Sequence, residues 1–292
     1  MNEAEFKDKI QNLSIWKKGD QRAPHKPLLI LYALAQLQAS KERFIPYKDV
    51  KEKLSNLLIE FGPKRKSQHP EEPFVRLKND GIWDLTNETV INLKNPSNRI
   101  LLDNAISGGF NEETYSLLKG NNSLIREVAE LILNQHFPDT IHEDILNHIG
   151  LDLEFSGKRV RNPQFREKIL RAYEYSCAVC GFNVRLGNNL VGVEAAHIKW
   201  HQAGGPDIEK NGIALCSMHH KLFDRGVFAI SEDNVFLLAE EAHGTNGFNE
   251  WLFNYHGKKI RQPINPDYYP QNTYVDWHIR EVFRGPSRYY AN

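Results

Sequence analysis

All three cysteines of this 292-residue chain lie between positions 177 and 216, in a pattern typical of a metal site. Cys177 and Cys180 are separated by two residues, and Cys216 is separated by two residues from His219. Two pairs with this spacing match the knuckles of a tetrahedral zinc site. A redox-active Cys-x-x-Cys pair is a second interpretation, although no thioredoxin-like βαβ pattern surrounds it, and three unrelated buried cysteines are a third. Zinc is favoured because it accounts for every cysteine, and four protein ligands make a closed, structural site.

Two adjacent histidines, His219 and His220, lie in the stretch CSMHHKLFD. Neighbouring side chains on a helix point about 100° apart, so they cannot easily face one ion. We therefore assign His219 to the zinc site and expect His220 to point elsewhere.

The composition, with 40% apolar and 25% charged residues, is ordinary for a globular protein. Lys and Arg together number 37, as do Asp and Glu, which excludes a globally basic nucleic-acid binder. No apolar run approaches the ~20 residues that a membrane span needs, and the charged start MNEAEFKDKI has no signal-peptide core. Three cysteines are a poor disulfide framework, so we expect a reducing, cytoplasmic setting without a membrane.

The N-terminal half has a pattern of helices followed by strands. Residues 26–39, KPLLILYALAQLQA, are apolar on nearly every side and have Pro27 in the first turn, which predicts a buried helix. Residues 47–62 repeat apolar side chains at helical spacing and end at Gly62. Two short strand-like runs then flank residues 79–81, Asn-Asp-Gly, which predicts a hairpin. Two helices followed by a hairpin indicate an α+β fold. A winged-helix-like module is one fold with this order of elements.

A change in sequence character indicates two domains. Residues 112–138 predict one or two helices that end at a proline. The stretch GLDLEFSGKRVRNPQ that follows position 149 loses this periodicity and turns basic, so we expect one domain at residues 1–155 and another at 156–292. Residues 163–177 predict a helix that leads to the first cysteine.

Between the two metal-binding pairs lie further residues of a recognisable pattern, EAAHI and NGIALC, and HHKLFDRG follows them. Together with the zinc pattern, they resemble the HNH endonuclease family, and particularly its restriction-endonuclease branch. The resemblance implies a zinc-stabilised ββα-metal nuclease domain. It also implies hydrolysis of DNA phosphodiester bonds with a catalytic Mg²⁺ or Mn²⁺ ion.

The resemblance assigns a role to each residue that matches the family pattern. His197 would be the general base on the first strand of the finger, since a neutral imidazole titrates near working pH. Asn211 matches the asparagine that bonds the backbone and holds the base in line. His220 has the family spacing from Asn211 and would bind the catalytic cation. Asp224, one helical turn beyond His220, would be a second ligand or would orient His220.

One position departs from the family pattern. Many members carry Asp or His as a metal ligand immediately before the base, whereas this chain has Ala196. Glu194 is a possible substitute, but on a strand it projects to the face opposite His197. The departure affects the expected metal shell more than the expected fold.

Four N-terminal stretches, RAPHKPLLILYAL, EFGPKR, HPEEPFVRLKNDGIW and SGGF, resemble the sulfur-binding domain of McrA-like restriction endonucleases. The resemblance implies recognition of double-stranded DNA with a phosphorothioate, in which sulfur replaces a non-bridging oxygen. Such a reader needs a shallow apolar pocket for sulfur and cations around the phosphate. We expect Pro73 and Phe74 to form the pocket. We expect the surrounding contacts to come from Arg22, His25, Lys26, Lys64 and Arg65.

Glu72 stands where this family often has an aromatic residue before the pocket proline. A carboxylate beside a phosphate is unfavourable, so either Glu72 points away or the specificity differs. The plainer interpretation of PHKP is the start of a buried helix that His25 caps.

Three functions are compatible with these patterns. The first is a modification-dependent, type IV restriction endonuclease that cuts DNA near a phosphorothioate. The second is an HNH endonuclease directed to a modified base or to unmodified sequence, and the third is a non-catalytic zinc-containing DNA-binding protein. The complete set of His197, Asn211 and His220 argues against the third. Because double-strand cleavage needs two active sites, we expect a homodimer on DNA.

Overall fold

The computed structural model describes residues 1–16, 18–40, 42–153 and 163–289. They form two compact units, Met1–Phe155 and Ser156–Asn292, and the predicted boundary between residues 155 and 156 lies outside the described residues. Both units combine helices with small antiparallel sheets, which confirms the α+β fold class. Within the described ranges, no helix has the length and apolar character needed to cross a membrane.

The first unit consists of eight α-helices among its described residues and one three-stranded sheet. The helices are α1 (Glu3–Gln11), α2 (His25–Ser40), α3 (Tyr47–Phe61), α4 (Glu71–Arg76), α5 (Asn98–Asp103), α6 (Glu112–Leu118), α7 (Asn122–His136) and α8 (His142–Ile149). The strands are β1 (Phe44–Pro46), β2 (Trp83–Leu85) and β3 (Ser107–Phe110), in the order β1-β3-β2 with both pairs antiparallel.

Helix α2 lies at the centre of this unit. Every residue from Leu28 to Ala35 is buried, because α3, α4, α7 and α8 surround the helix. This confirms the predicted buried helix, and α3 confirms the second one, with the Gly62 N–H bonded to the Leu58 carbonyl at its end. The apolar residues after position 111 form two helices, α6 and α7, separated by Gly120 in the left-handed region.

The predicted hairpin around residues 79–81 is wrong. The residues before it form α4 and a 3₁₀ turn, Leu77–Asp80, and only β2 follows. Phe74 and Leu77 are three residues apart, so both face the core from a helical segment. The partner of β2 is the distant strand β3, where a Cβ on Gly109 would lie 1.8 Å from the Arg43 carbonyl oxygen. Because Arg43 directly precedes β1, the pairing of β3 with β1 requires glycine there.

Among its described residues, which start at position 163, the second unit has one helix followed by a series of antiparallel strand pairs. Its elements are α9 (Pro163–Ala172), β4 (Val184–Leu186), β5 (Asn189–Val191), β6 (Val193–His197), β7 (Gly212–Cys216), α10 (Ser217–Asp224), β8 (Phe228–Ile230), β9 (Phe236–Leu238), α11 (Phe248–Trp251) and α12 (Asn272–Glu281). The strand pairs β4–β5, β6–β7 and β8–β9 are all antiparallel.

Strands β6 and β7 with helix α10 form the expected ββα finger. Val193 pairs with Cys216 and His197 pairs with Gly212, so the hairpin is in register over its whole length. Helix α10 begins directly after β7. Helix α9 is shorter than predicted and ends at Ala172, since Glu174 and Tyr175 have positive φ angles of 52° and 56° that a helix does not allow.

A buried ion pair connects α2 to the turn before β2. Lys26 Nζ donates to Asp80 Oδ2 and to the Ser14 carbonyl oxygen, and Asp80 also accepts from the Ser14 N–H at 2.7 Å. The side chains of Lys26 and Asp80 are 10% and 4% exposed. A charge in such a place is stable only while its partner is present.

We predict that Asp80→Asn lowers the free energy of unfolding by about 3 kcal/mol, because it leaves the buried Lys26 ammonium without a counter-charge. Urea unfolding at pH 7, followed by circular dichroism, measures the change. The matched control is Glu127→Gln, which removes the exposed partner of Lys7 and should barely move the midpoint. Equal midpoints for the two variants would contradict the prediction.

Candidate functional site

The four predicted zinc ligands converge in the second unit. His219 Nδ1 lies 3.1 Å from Cys216 Sγ and 3.7 Å from Cys177 Sγ, and Cys180 Sγ lies 4.0 Å from Cys216 Sγ. All four ligand atoms lie within 4.8 Å of one another. A tetrahedral zinc ion with Zn–S bonds of about 2.3 Å separates its ligand atoms by about 3.8 Å. The donor set and its spacing therefore fit zinc.

The cluster joins three neighbouring pieces of the chain. Cys177 and Cys180 belong to the turn after α9, Cys216 is the last residue of β7, and His219 lies in the first turn of α10. His219 Nε2 is 2.8 Å from the Trp251 carbonyl oxygen, which orients the ring with Nδ1 toward the sulfurs.

His197 ends strand β6 and is held on two sides. Its Nε2 lies 2.8 Å from Asp207 Oδ1, and its ring stacks on Phe165 of α9 with centroids 4.1 Å apart. Burial lowers the pKa of His197, and the hydrogen bond with Asp207 partly opposes this shift. The ring is therefore neutral near pH 7, with a proton on Nε2 and a lone pair on Nδ1.

Asn211 is fully buried, and its side chain bonds backbone groups of the loop after His197. Its Nδ2 donates to the carbonyl oxygens of Lys199 and Pro206, both at 3.0 Å, and its Oδ1 accepts from the Lys199 N–H at 2.8 Å. A Cβ on Gly205 would lie 1.8 Å from the Lys199 carbonyl oxygen, so the loop is tightly folded. Asn211 thus holds together the two ends of the loop that connects His197 to Asp207.

His220 is buried between two carboxylates and points away from the zinc cluster. Its Nδ1 lies 2.6 Å from Glu194 Oε2, and its Nε2 lies 3.2 Å from Asp224 Oδ2. Asp224 Oδ1 accepts from Trp200 Nε1 at 3.0 Å. Burial alone would lower the pKa of His220, but the charge of Asp224 and the hydrogen bonds with both carboxylates raise it to about 9.

Glu194, which the sequence analysis considered as a substitute for the ligand missing at Ala196, lies beside His220. Glu194 contacts His220, whereas His197, three residues along β6, bonds Asp207. Ala196 is fully buried and offers no ligand. Asp207 was missed by the sequence analysis, and its only signal is a carboxylate four residues before Asn211.

In the first unit, three basic side chains lie near one another. Burial and then the charges of Arg65 and His69 lower the pKa of His25 to about 4. His69 is 59% exposed and is held by Ser67 Oγ at 2.9 Å and by the buried carboxylate of Glu71 at 3.0 Å. We call His25, Arg65 and His69 the basic cluster.

Comparison with known families places both units. Residues 3–154, just over half of the chain, match the model described as the ScoMcrA-like DNA sulfur-binding domain, and residues 177–231 match HNH endonuclease. The chain belongs to the ScoMcrA-like DNA sulfur-binding domain family. Its second match makes the protein a DNA endonuclease of the HNH type, a class that depends on metal ions. A sulfur-binding domain joined to an HNH domain supports type IV, modification-dependent restriction.

Several solved structures are similar to parts of this chain. The sulfur-binding domains of ScoMcrA and SprMcrA, each complexed with phosphorothioated DNA, are 20% identical, with TM-scores of 0.44 and 0.45. These matches cover 50% and 52% of this chain and 95% of each domain. The modification-dependent TagI restriction endonuclease is 23% identical with a TM-score of 0.30, covering 44% of this chain and 40% of that one. No curated protein matches the chain.

Some residues predicted to face DNA in the sulfur-binding domain are buried instead. The Lys26 side chain is buried and its charge is paired with Asp80. Phe74 is fully buried, with its ring 4.8 Å from that of Tyr47, so it cannot form an open pocket wall. Pro73 is buried in α4 beside it. These side chains face inward because α2 and α4 pack their apolar sides into the core.

The other residues of the sulfur-binding domain that were predicted to contact DNA differ in their exposure and in their hydrogen-bond partners. Lys64 is exposed, whereas Arg65 is partly buried and donates to the Lys64 carbonyl oxygen at 3.2 Å. Arg22 is half-buried and donates to the Phe61 carbonyl oxygen at the end of α3. Glu72 pairs with Arg76 one turn later, so its carboxylate is neutralised within α4.

We predict that Cys216→Ser reduces the zinc content from about one ion per chain to nearly none and destabilises the HNH domain, because metal binding and folding are coupled in such sites. Metal analysis by mass spectrometry after gel filtration, with thermal unfolding, measures both effects. Met218→Ala is the matched control, since Met218 lies between two ligands but is 39% exposed. Full zinc occupancy in the serine variant would refute the assignment.

Proposed function

We propose that this protein recognises phosphorothioated DNA through its sulfur-binding domain and hydrolyses nearby phosphodiester bonds with its HNH domain. The observation that carries the catalytic part is the fixed, neutral ring of His197, whose Nε2 is bonded to Asp207 and whose Nδ1 is the nitrogen available to accept a proton. His197 would take the proton of the attacking water at Nδ1 as general base. Asn211 would keep the loop that follows His197, and with it the imidazole ring of His197, in place.

The residues around His220 fit a divalent cation. Adjacent ligand atoms around an octahedral Mg²⁺ with bonds of about 2.1 Å lie about 3.0 Å apart. His220 Nε2 and Asp224 Oδ2 are 3.2 Å apart, and an ion held by both would displace the proton that Nε2 shares with Asp224. Glu194 would accept a hydrogen bond from the Nδ1–H of His220 and so direct Nε2 toward the ion, as carboxylates do for metal-bound histidines. Bound there, Mg²⁺ or Mn²⁺ would stabilise charge on the phosphate and on the leaving oxygen.

The basic cluster supports the assignment of the reader surface. A phosphorothioate carries one charged but poorly hydrated sulfur, which suits a partly desolvated, uncharged group next to cations. His25 is half-buried and remains neutral near pH 7, while Arg65 and His69 lie close enough for their charges to act on it. His25 would therefore contact the sulfur, and Arg65 would bind phosphate in any duplex. Cutting both strands near this mark would use two copies of the chain, so we include a homodimer on DNA in the proposal.

We predict that His197→Ala lowers the cleavage rate by at least about 10²-fold without weakening DNA binding, because only the general base is removed. Nicking of phosphorothioated plasmid in Mg²⁺ or Mn²⁺ measures the rate, and gel shift measures binding. His243→Ala is the matched control, since this exposed histidine of the same unit contacts the Glu241 carbonyl oxygen at 3.0 Å and, within the described residues, no assigned site residue. Loss of binding in His197→Ala, or retained cleavage, would refute the assigned role.

We predict that the inactive His197→Ala protein binds a duplex with one phosphorothioate at least about tenfold more tightly than the same duplex without it, a difference of about 1.4 kcal/mol. Titrations at one near-physiological salt concentration measure both affinities. Adding His25→Ala should erase the preference, whereas Arg65→Gln should weaken both complexes alike. Lys7→Ala, outside the basic cluster, should change neither.

Equal affinities for the two duplexes would remove the sulfur assignment and leave an endonuclease directed to a modified base or to unmodified sequence. The same titration with duplexes that carry modified bases would then identify the mark.

A further inference from the structure

We infer that Asp207 is a positioning residue for the HNH reaction: it holds His197 in the tautomer and orientation in which Nδ1 faces the attacking water. This inference rests on the proposed role of His197 as general base. It adds a residue that neither the sequence pattern nor the family match assigns.

The first argument is the geometry of the hydrogen bond. A carboxylate only accepts, so the 2.8 Å contact between His197 Nε2 and Asp207 Oδ1 places the proton on Nε2. The side chains of His197 and Asp207 are 23% and 28% exposed, so water competes little for this bond. The stacked ring of Phe165 covers one face of the imidazole and restricts its rotation. The ring is thereby left with one free nitrogen and one orientation.

The second argument is how the Asp207 backbone is fixed. Asn211 Nδ2 donates to the carbonyl oxygen of Pro206, the residue immediately before Asp207, and also to that of Lys199, two residues after His197. The strand register places His197 opposite Gly212, the neighbour of Asn211. Asn211, Asp207 and His197 therefore form one connected unit. The role of Asn211 in holding the base acts in part through Asp207.

The charges around His197 indicate what removal of Asp207 would do. Asp207 and Asp224 favour the protonated imidazole, while burial and His201 disfavour it. Without the Asp207 carboxylate, His197 would become a weaker base, and its orientation would no longer be fixed by a charge-assisted hydrogen bond. Catalysis would fall while DNA affinity, which depends on other groups, would not.

The test compares Asp207→Asn, Asp207→Glu and Glu209→Gln in the full-length protein. Glu209 provides the matched control, because it lies two residues from Asp207 and pairs with Lys168 at 3.5 Å instead of His197. We expect Asp207→Asn to lower kcat about 100-fold with KM for DNA nearly unchanged. The acid limb of its pH–rate profile should move to lower pH, because the imidazole loses a group that favours its protonation. Asp207→Glu should restore part of kcat, and Glu209→Gln should behave as the unmodified protein.

Zinc content and unfolding temperature, measured for each variant, identify any loss of folding. If Asp207→Asn is misfolded, the pH–rate profile of Asp207→Glu decides the question, since a longer carboxylate changes the geometry but keeps the charge. Wild-type kcat and an unshifted acid limb in a folded Asp207→Asn, with His197→Ala inactive, would overturn the positioning role alone. Cleavage by His197→Ala would overturn the role of His197 as base and, with it, this inference.

Discussion

The arrangement of the nuclease site depends on four side chains that come together at one point, Cys177, Cys180, Cys216 and His219. They join the turn after α9, the end of β7 and the start of α10, and so fix where the helix leaves the hairpin. Because β6 pairs with β7 in full register, fixing α10 also fixes His220 relative to the strand that carries His197. A metal ion bound by these four side chains would stabilise the fold of this unit directly, because metal binding and folding are coupled in such sites.

Around this centre, neighbouring histidines acquire different chemistry from their carboxylate partners. His197 has one carboxylate partner at 2.8 Å and a ring on its face, and burial keeps it neutral. His220 lies between two carboxylates, which favour a positive charge at its position. The first environment suits a proton acceptor and the second suits a cation site. In the proposed mechanism, the same residue type would serve two purposes within one finger because different segments supply its neighbours.

In the sulfur-binding domain, charge is divided between the core and the surface. Lys26 and Asp80 form a buried pair between α2 and the turn before β2, while the neighbouring His25 stays half-buried at the beginning of the same helix. Of these two adjacent residues, Lys26 stabilises the fold and His25 belongs to the basic cluster, so a basic stretch in a sequence cannot be assigned to DNA contacts as a whole. Helical geometry sends consecutive side chains to different sides.

The sequence by itself predicted the Cys3His cluster, the helices α2 and α3, and one or two helices where α6 and α7 lie, because ligand spacing and helical periodicity are properties of short segments. The ββα finger followed from the resemblance to the HNH family. The errors of the sequence analysis were also local: residues 74–80 form helical turns, since Phe74 and Leu77 find a common core that no short pattern reveals. Only the tertiary structure decided the partners of charged groups. Lys26 with Asp80, Glu194 with His220, and His197 with Asp207 all depend on strand register and packing, which bring together side chains that are 10 to 54 residues apart in the chain.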